Sequence, residues 1–83
     1  MPGKDTYNNV VKILMNYSKA DMPIDQITPQ TSLLGDLKIN SARLVDIIID
    51  FEDTFDIAID DKDADGVATV KDAVDLITNL TKQ

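Results

Sequence analysis

Asn40-Ser41-Ala42-Arg43-Leu44-Val45-Asp46-Ile47-Ile48-Ile49-Asp50-Phe51-Glu52-Asp53-Thr54-Phe55 is the stretch on which the fold turns. Leu44, Val45, Ile47, Ile48, Ile49, Phe51 and Phe55 are apolar, and Asp46, Asp50, Glu52 and Asp53 are set between them. A run of β-branched residues can also read as a strand. Here Asp50-Phe51-Glu52-Asp53 continues a helical pattern better. Asn40 and Ser41 are adjacent and both are good N-caps, so the helix is predicted to start there. Three successive isoleucines make it apolar on more than one side: one side faces a core, and Ile49 is left near the acidic face.

Upstream, Asp5 or Thr6 can cap a first helix in which Tyr7, Val10, Val11, Leu14 and Ser18 share one stripe, with Tyr17 at its flank. Met22-Pro23 disfavours helical geometry before the proline, so this helix is expected to stop near Ala20. Asp21 to Asn40 is a long connector containing Pro23, Pro29 and Gly35, and such length in a small domain demands anchoring. Ile24, Ile27, Leu33, Leu34, Leu37 and Ile39 are the expected pins.

Downstream, Asp56-Ile57-Ala58-Ile59-Asp60 alternates like an extended segment, and a short turn of helix is expected at Asp61 to Asp65. Thr69-Val70-Lys71-Asp72 resembles a capping box with Asp in place of Glu. It opens a final helix carrying Val70, Ala73, Val74, Ile77 and Leu80. A lone strand-like piece cannot form a sheet. The expected fold is all-α: three main helices plus one short helix, packed as a small antiparallel bundle, with a long loop between the first and second helices. One domain is expected over residues 1–83.

Lys plus Arg is 8 and Asp plus Glu is 15, a net charge of −7 that repels phosphate backbones, so nucleic acid is not an expected partner. Cysteine and histidine are both absent. That excludes disulfides, thiolate zinc sites, cysteine nucleophiles and histidine-based triads. No apolar run approaches the length of a membrane-spanning helix, and nothing behind Met1-Pro2-Gly3-Lys4-Asp5 reads as a signal peptide. The expectation is a cytoplasmic monomer without membrane insertion that is not an enzyme acting alone.

The acids are concentrated. Asp36, Asp46, Asp50, Glu52, Asp53, Asp56, Asp60, Asp61, Asp63 and Asp65 face only Lys38, Arg43 and Lys62 in the same stretch, so the whole net charge sits mid-chain. A solvated face that aids solubility is one reading, and a docking face for basic partners is the other.

Two constellations carry chemistry. Asp61-Lys62-Asp63-Ala64-Asp65-Gly66 matches the opening of an EF-hand calcium loop, with Thr69 at position nine and Asp72 at twelve. Asp is short for a bidentate ligand, Ala68 occupies a position that is normally large and apolar, and no second loop exists to pair with it. Weak divalent-cation binding at Asp61, Asp63 and Asp65 is expected rather than an ordered cage.

The second constellation is Ser41 at the start of the acidic helix. A serine in that place is ordinarily a cap. Its setting adds Ser32-Leu33, Asp36-Leu37, Val45-Asp46, Glu52, Phe55-Asp56 and Ile59, followed by Ala64, Thr69-Val70, Ala73-Val74-Asp75 and Ile77. From Thr31 to Leu80 the chain resembles an acyl carrier protein. The resemblance implies an acyl-carrier bundle with 4′-phosphopantetheine, taken from coenzyme A, attached to Ser41. It also implies acyl cargo held as thioesters for fatty-acid, lipid or polyketide-type biosynthesis. The implied partners are a phosphopantetheinyl transferase and acyl-loading and acyl-processing enzymes with basic docking patches. These would read Asn40, Ala42, Asp46, Ile49, Asp50, Glu52 and Asp53.

The chain departs from the family pattern close to the serine. Lys38 stands where glycine is expected, Asn40 replaces aspartate, Ala42 replaces leucine, and Arg43 is basic where the family usually has acid. A specialised carrier is implied. The rival readings are a single-loop calcium-binding protein over Asp61 to Asp72, and a carrier-like interaction subunit without the arm.

Overall fold

Helix α1 runs Pro2–Tyr17 in a computed structural model that describes residues 2–81; Met1, Lys82 and Gln83, which the expected domain included, lie outside the described residues. Proline suits a first helical turn because its φ is already helical and the N–H it lacks would have no partner there. Asp5 and Thr6 are therefore not caps, as the sequence suggested: both lie inside the helix, and Thr6 is buried. The helix ends at Tyr17, short of the expected Ala20. Ser18 N–H still reaches Leu14 C=O at 3.0 Å, but the N–H groups of Lys19 and Ala20 both turn to Leu37 C=O, at 3.0 and 3.2 Å. The Ser18 hydroxyl donates to the same carbonyl at 3.0 Å, so Ser18 is a polar tie rather than part of an apolar stripe.

The connector is pinned by Ile27, Leu33, Leu37 and Ile39, all buried, but not by Ile24 or Leu34, which are 52% and 48% exposed. Ile24 lies in the 3₁₀ turn Ile24–Gln26, which buries none of its residues. Leu34 sits in the turn closed by N–H groups of Asp36 and Leu37 on Ser32 C=O, where Leu33 and Leu37 take the inward positions. Gly35 belongs to that turn for steric reasons: a Cβ there would come within 3.2 Å of Ser32 Oγ, which accepts the Gly35 N–H.

The second helix opens as a 3₁₀ turn, Ser41–Arg43, and continues as α2, Leu44–Phe55. Its inward face is Ile47 and Phe51, with the Phe55 ring edge-on to Phe51 at 6.4 Å. Val45 and Ile49 point outward, 65% and 48% exposed. Asp56 ends α2 in the left-handed region at φ 55°, which a short polar side chain tolerates. The following segment forms no strand, yet its alternation is real: Ile57 and Ile59 are half-buried while Asp56, Ala58 and Asp60 are exposed. Helix α3 spans Asp61–Asp65 and buries none of its residues.

Helix α4, Val70–Thr81, contributes Val70, Ala73 and Ile77 to the core. These meet Val10, Val11 and Leu14 of α1, Ile47 and Phe51 of α2, and the connector pins in one cluster. Among the described residues no helix is long and apolar enough to cross a membrane.

The α4 capping box forms as expected. Thr69 Oγ1 accepts the Asp72 N–H at 3.2 Å, and the Asp72 carboxylate accepts the N–H groups of Ala68 and Thr69 at 3.1 and 3.2 Å. The Ala68 and Thr69 N–H groups hold the Asp72 carboxyl below its ordinary 3.8, with Ala68 contributing most. A depressed carboxyl stabilises the folded state above the unfolded value, and the benefit disappears as pH falls through the lower folded value. Asp72→Ala should therefore cost about 1 kcal/mol at neutral pH. Urea unfolding followed at pH 7 and again below pH 3.5 should show the gap between the two proteins closing in acid.

Candidate functional site

The site is built by the end of the connector. Buried Leu37 and Ile39 bracket Lys38, whose φ of 55° turns the chain outward. Ile39 N–H then bonds Leu33 C=O at 3.0 Å, which fixes the point where the chain enters the second helix. Asn40 is the cap: its side chain accepts the Ala42 N–H at 2.9 Å and its carbonyl accepts the Arg43 N–H at 2.8 Å. Both residues were candidates for that role, and the structure gives it to Asn40. Ser41 is left exposed on the first turn with its backbone C=O, not its hydroxyl, in the helical ladder through Leu44 N–H.

The acids expected on one docking face are not equivalent. Asp46 pairs with Arg43, Nη1 to Oδ2 at 3.0 Å. Asp50 is half-buried and accepts the Tyr17 hydroxyl, tying α2 to the end of α1. That hydrogen bond, with burial and the Asp50 charge behind it, holds the Tyr17 phenol above its ordinary value. Glu52 accepts the Ile59 N–H at 2.8 Å and thereby closes the loop after α2. Asp53 is exposed, as are Asn40 and Ala42 beside the serine.

A groove of about 580 Å³ opens between α2 and α3. Leu44, Val45, Ile48, Ile49, Ile59 and Ala64 line its walls, with Glu52, Asp61 and Asp65 also on it. It begins at the helical turn after Ser41. Apolar walls with carboxylates among them suit a chain-like apolar ligand with a polar end in water.

The sequence pattern described as a phosphopantetheine attachment site matches residues 18–77. An acyl carrier protein of Desulforapulum autotrophicum is 39% identical over 67 residues, covering 81% of this chain and 87% of that protein. A Schizosaccharomyces pombe sequence bearing the name of a mitochondrial acyl carrier protein is 32% identical over 74 residues, which are 89% of this chain and 65% of that one. The solved structure of the acyl carrier protein from Enterococcus faecalis superposes with a TM-score of 0.81 at 32% identity, covering 96% of this chain and 99% of its own. The chain belongs to the acyl carrier protein family. Its cofactor is 4′-phosphopantetheine.

In this carrier the residues of the calcium-like motif do other work. Asp61 and Asp65, four residues apart, share one face of α3, and Asp63 between them points to the other side. Asp72, the would-be twelfth ligand, is committed to the α4 capping box. Among the described residues no group of three or more acids is arranged to hold a metal ion. This geometry argues against the calcium-binding alternative.

Two features escaped sequence reasoning. The Tyr17–Asp50 tie joins residues far apart in the chain and leaves no periodic signal. The groove depends on where α3 lies, which five residues of helix do not encode by themselves. The Arg43–Asp46 pair was not read either, although its three-residue spacing was a signal that could have found it.

Lys38 holds a left-handed backbone that costs a side-chain-bearing residue about 1–2 kcal/mol. Glycine removes that cost and returns about 0.4–1 kcal/mol in unfolded-chain entropy. Lys38→Gly should thus raise the unfolding free energy by about 0.5–1 kcal/mol, read as a higher urea midpoint at unchanged slope.

Proposed function

We propose that this protein carries acyl groups on a phosphopantetheine arm attached to Ser41 and acts as a shuttle rather than a catalyst. The observation that carries the proposal is the division of labour at the helix start. Asn40 supplies the cap, so the exposed Ser41 hydroxyl has no structural duty to lose on modification. On transfer, Ser41 Oγ bonds to the phosphorus that bears pantetheine, the pyrophosphate P–O bond of coenzyme A breaks, and adenosine bisphosphate leaves. The hydroxyl proton passes to a base of the transferase, in keeping with a chain that has no histidine.

The new phosphodiester lies beside the positive end of the helix dipole, a contact worth about 0.3–1 kcal/mol when exposed. The thiol of the bound arm supplies the thioester chemistry that a chain without cysteine cannot. Leu44, Val45, Ile48 and Ile49 offer an apolar wall close to the serine against which an acyl chain can leave water. Asp46, Ile49 and Asp53 form the partner-docking stripe, with Asp50 and Glu52 shaping it from within. Fatty-acid, lipid or polyketide-type biosynthesis is the proposed setting and the cytoplasm the proposed compartment. Since one relative bears a mitochondrial name, fractionation of host cells is the measurement for the latter.

Ser41→Ala should abolish the mass gain of one phosphopantetheine on co-expression with a broad-specificity transferase. The cap stays with Asn40, so the melting curve should barely move. An alanine variant that still gains the arm would overturn the site, and an unmodified Ser41 in protein from the host would favour the armless interaction subunit.

Ile49→Ala should accelerate dissociation of the loaded carrier from an acyl-processing enzyme with little salt dependence, because it deletes contact area. Asp53→Lys should instead slow association, and less so at high salt. Stopped-flow binding at two ionic strengths separates the two effects; equal insensitivity to both substitutions would remove the docking stripe from the proposal.

A further inference from the structure

Exposed cations flank Ser41 in a molecule whose net charge is −7, and with Asp36 and Asp46 the stretch from Asp36 to Asp46 sums to zero. Lys38 and Arg43 lie on either side of the serine, both exposed. The nearest acid along the helix, Asp46, is held by Arg43 at 3.0 Å. The Asp36 carboxylate is turned to the Ser32 N–H at 2.9 Å. Farther along, Asp50 and Glu52 are engaged by Tyr17 and Ile59, Asp53 and Asp56 are exposed at the far end of α2, and the exposed Asp61 and Asp65 of α3 lie on the groove that starts at Leu44.

At a rise of 1.5 Å per residue, Asp53 stands about 18 Å from Ser41. The Debye length at physiological ionic strength is about 8 Å. A protein that reaches the serine therefore covers Lys38 and Arg43 beside it, together with the Asp46 that Arg43 holds, while the acids at the far end of α2 lie beyond the screening length.

We propose that this chain fits a transferase with a bipolar footprint: an acidic side chain opposite Arg43 and Lys38 at the serine, and basic side chains opposite Asp53 and Asp56. Arg43 is then a specificity-determining residue that selects the enzyme by charge. This rests on Ser41 as the attachment point. It differs from a uniformly acidic docking face, for which Arg43 would be an obstacle.

The sign of one substitution decides between the two. Arm transfer by the host's own transferase is followed by intact mass, with coenzyme A as donor, for the unaltered protein and for Arg43→Glu at low and high salt. The bipolar footprint predicts that Arg43→Glu lowers kcat/KM about tenfold at low salt, with the loss shrinking at high salt. Arg43→Lys keeps the charge while changing the side chain and should retain most of the rate; a loss as large as that of Arg43→Glu would trace the effect to the helix turn and overturn the proposal. A rate that rises or stays constant on Arg43→Glu overturns it equally. Failure of the Ser41 assignment is distinct, since the unaltered protein would then gain no mass or Ser41→Ala would still gain it.

Discussion

The connector between α1 and α2 is held by its own backbone, and the placement of every other element depends on that. Helix α4 begins with N–H groups that have no partner in the helix. Two of them are met by carbonyls of the connector: Val70 N–H by Thr31 at 3.0 Å and Lys71 N–H by Pro29 at 2.9 Å. Leu33 N–H returns the contact to Ala68 C=O at 3.0 Å. At the connector's other end, Leu37 C=O collects the donors that follow α1. The same segment thus completes one helix start and one helix end. A connector without regular structure would otherwise leave those groups to water and Leu33, Leu37 and Ile39 without a fixed place in the core.

A carrier needs an exposed hydroxyl on a rigid support, and the local sequence provides both through neighbouring residues with different tasks. Ile39 is buried, Asn40 caps, and Ser41 is free of either duty. Under the proposed attachment at Ser41, the serine needs no base of its own because another enzyme brings the chemistry to it. Absence of histidine and cysteine, which excluded the ordinary catalytic classes, is what such a division of labour permits.

How much of this could be read in advance depended on the range of the interaction. Helix α4 was legible because its cap and its apolar stripe are local: Thr69, Asp72, Ala73 and Ile77 lie within three turns. The short helix α3 and the alternating burial of Ile57 and Ile59 were legible for the same reason. The ends of α1 were not, because the helix starts at Pro2, ahead of the expected caps Asp5 and Thr6, and Leu37, twenty residues beyond Tyr17, ends it. Ile24 and Leu34 looked like pins on hydrophobicity alone, but a turn has fewer inward positions than it has apolar residues. At the site, Ser41 stood out through its family setting, while the sharing of Asp46, Asp50 and Glu52 among structural partners needed coordinates.

Two residues in left-handed conformation bracket the functional helix, Lys38 before it and Asp56 after it, and neither is glycine. Their costs differ. Aspartate is short and polar and visits that region with little penalty, whereas a lysine there carries strain of about 1–2 kcal/mol. A side chain at either place also restricts the unfolded chain, which offsets about 0.4–1 kcal/mol of the cost. At Asp56 the two effects nearly cancel, so no purpose beyond ending α2 is required. At Lys38 a residual cost remains that the fold does not need, since the bonds from Leu37 and Ile39 on either side would hold a glycine in the same turn. What lysine adds there is a positive charge beside Ser41. The strain at Lys38 is thus tied to a charge that flanks the exposed Ser41 and not to a contact that the core requires.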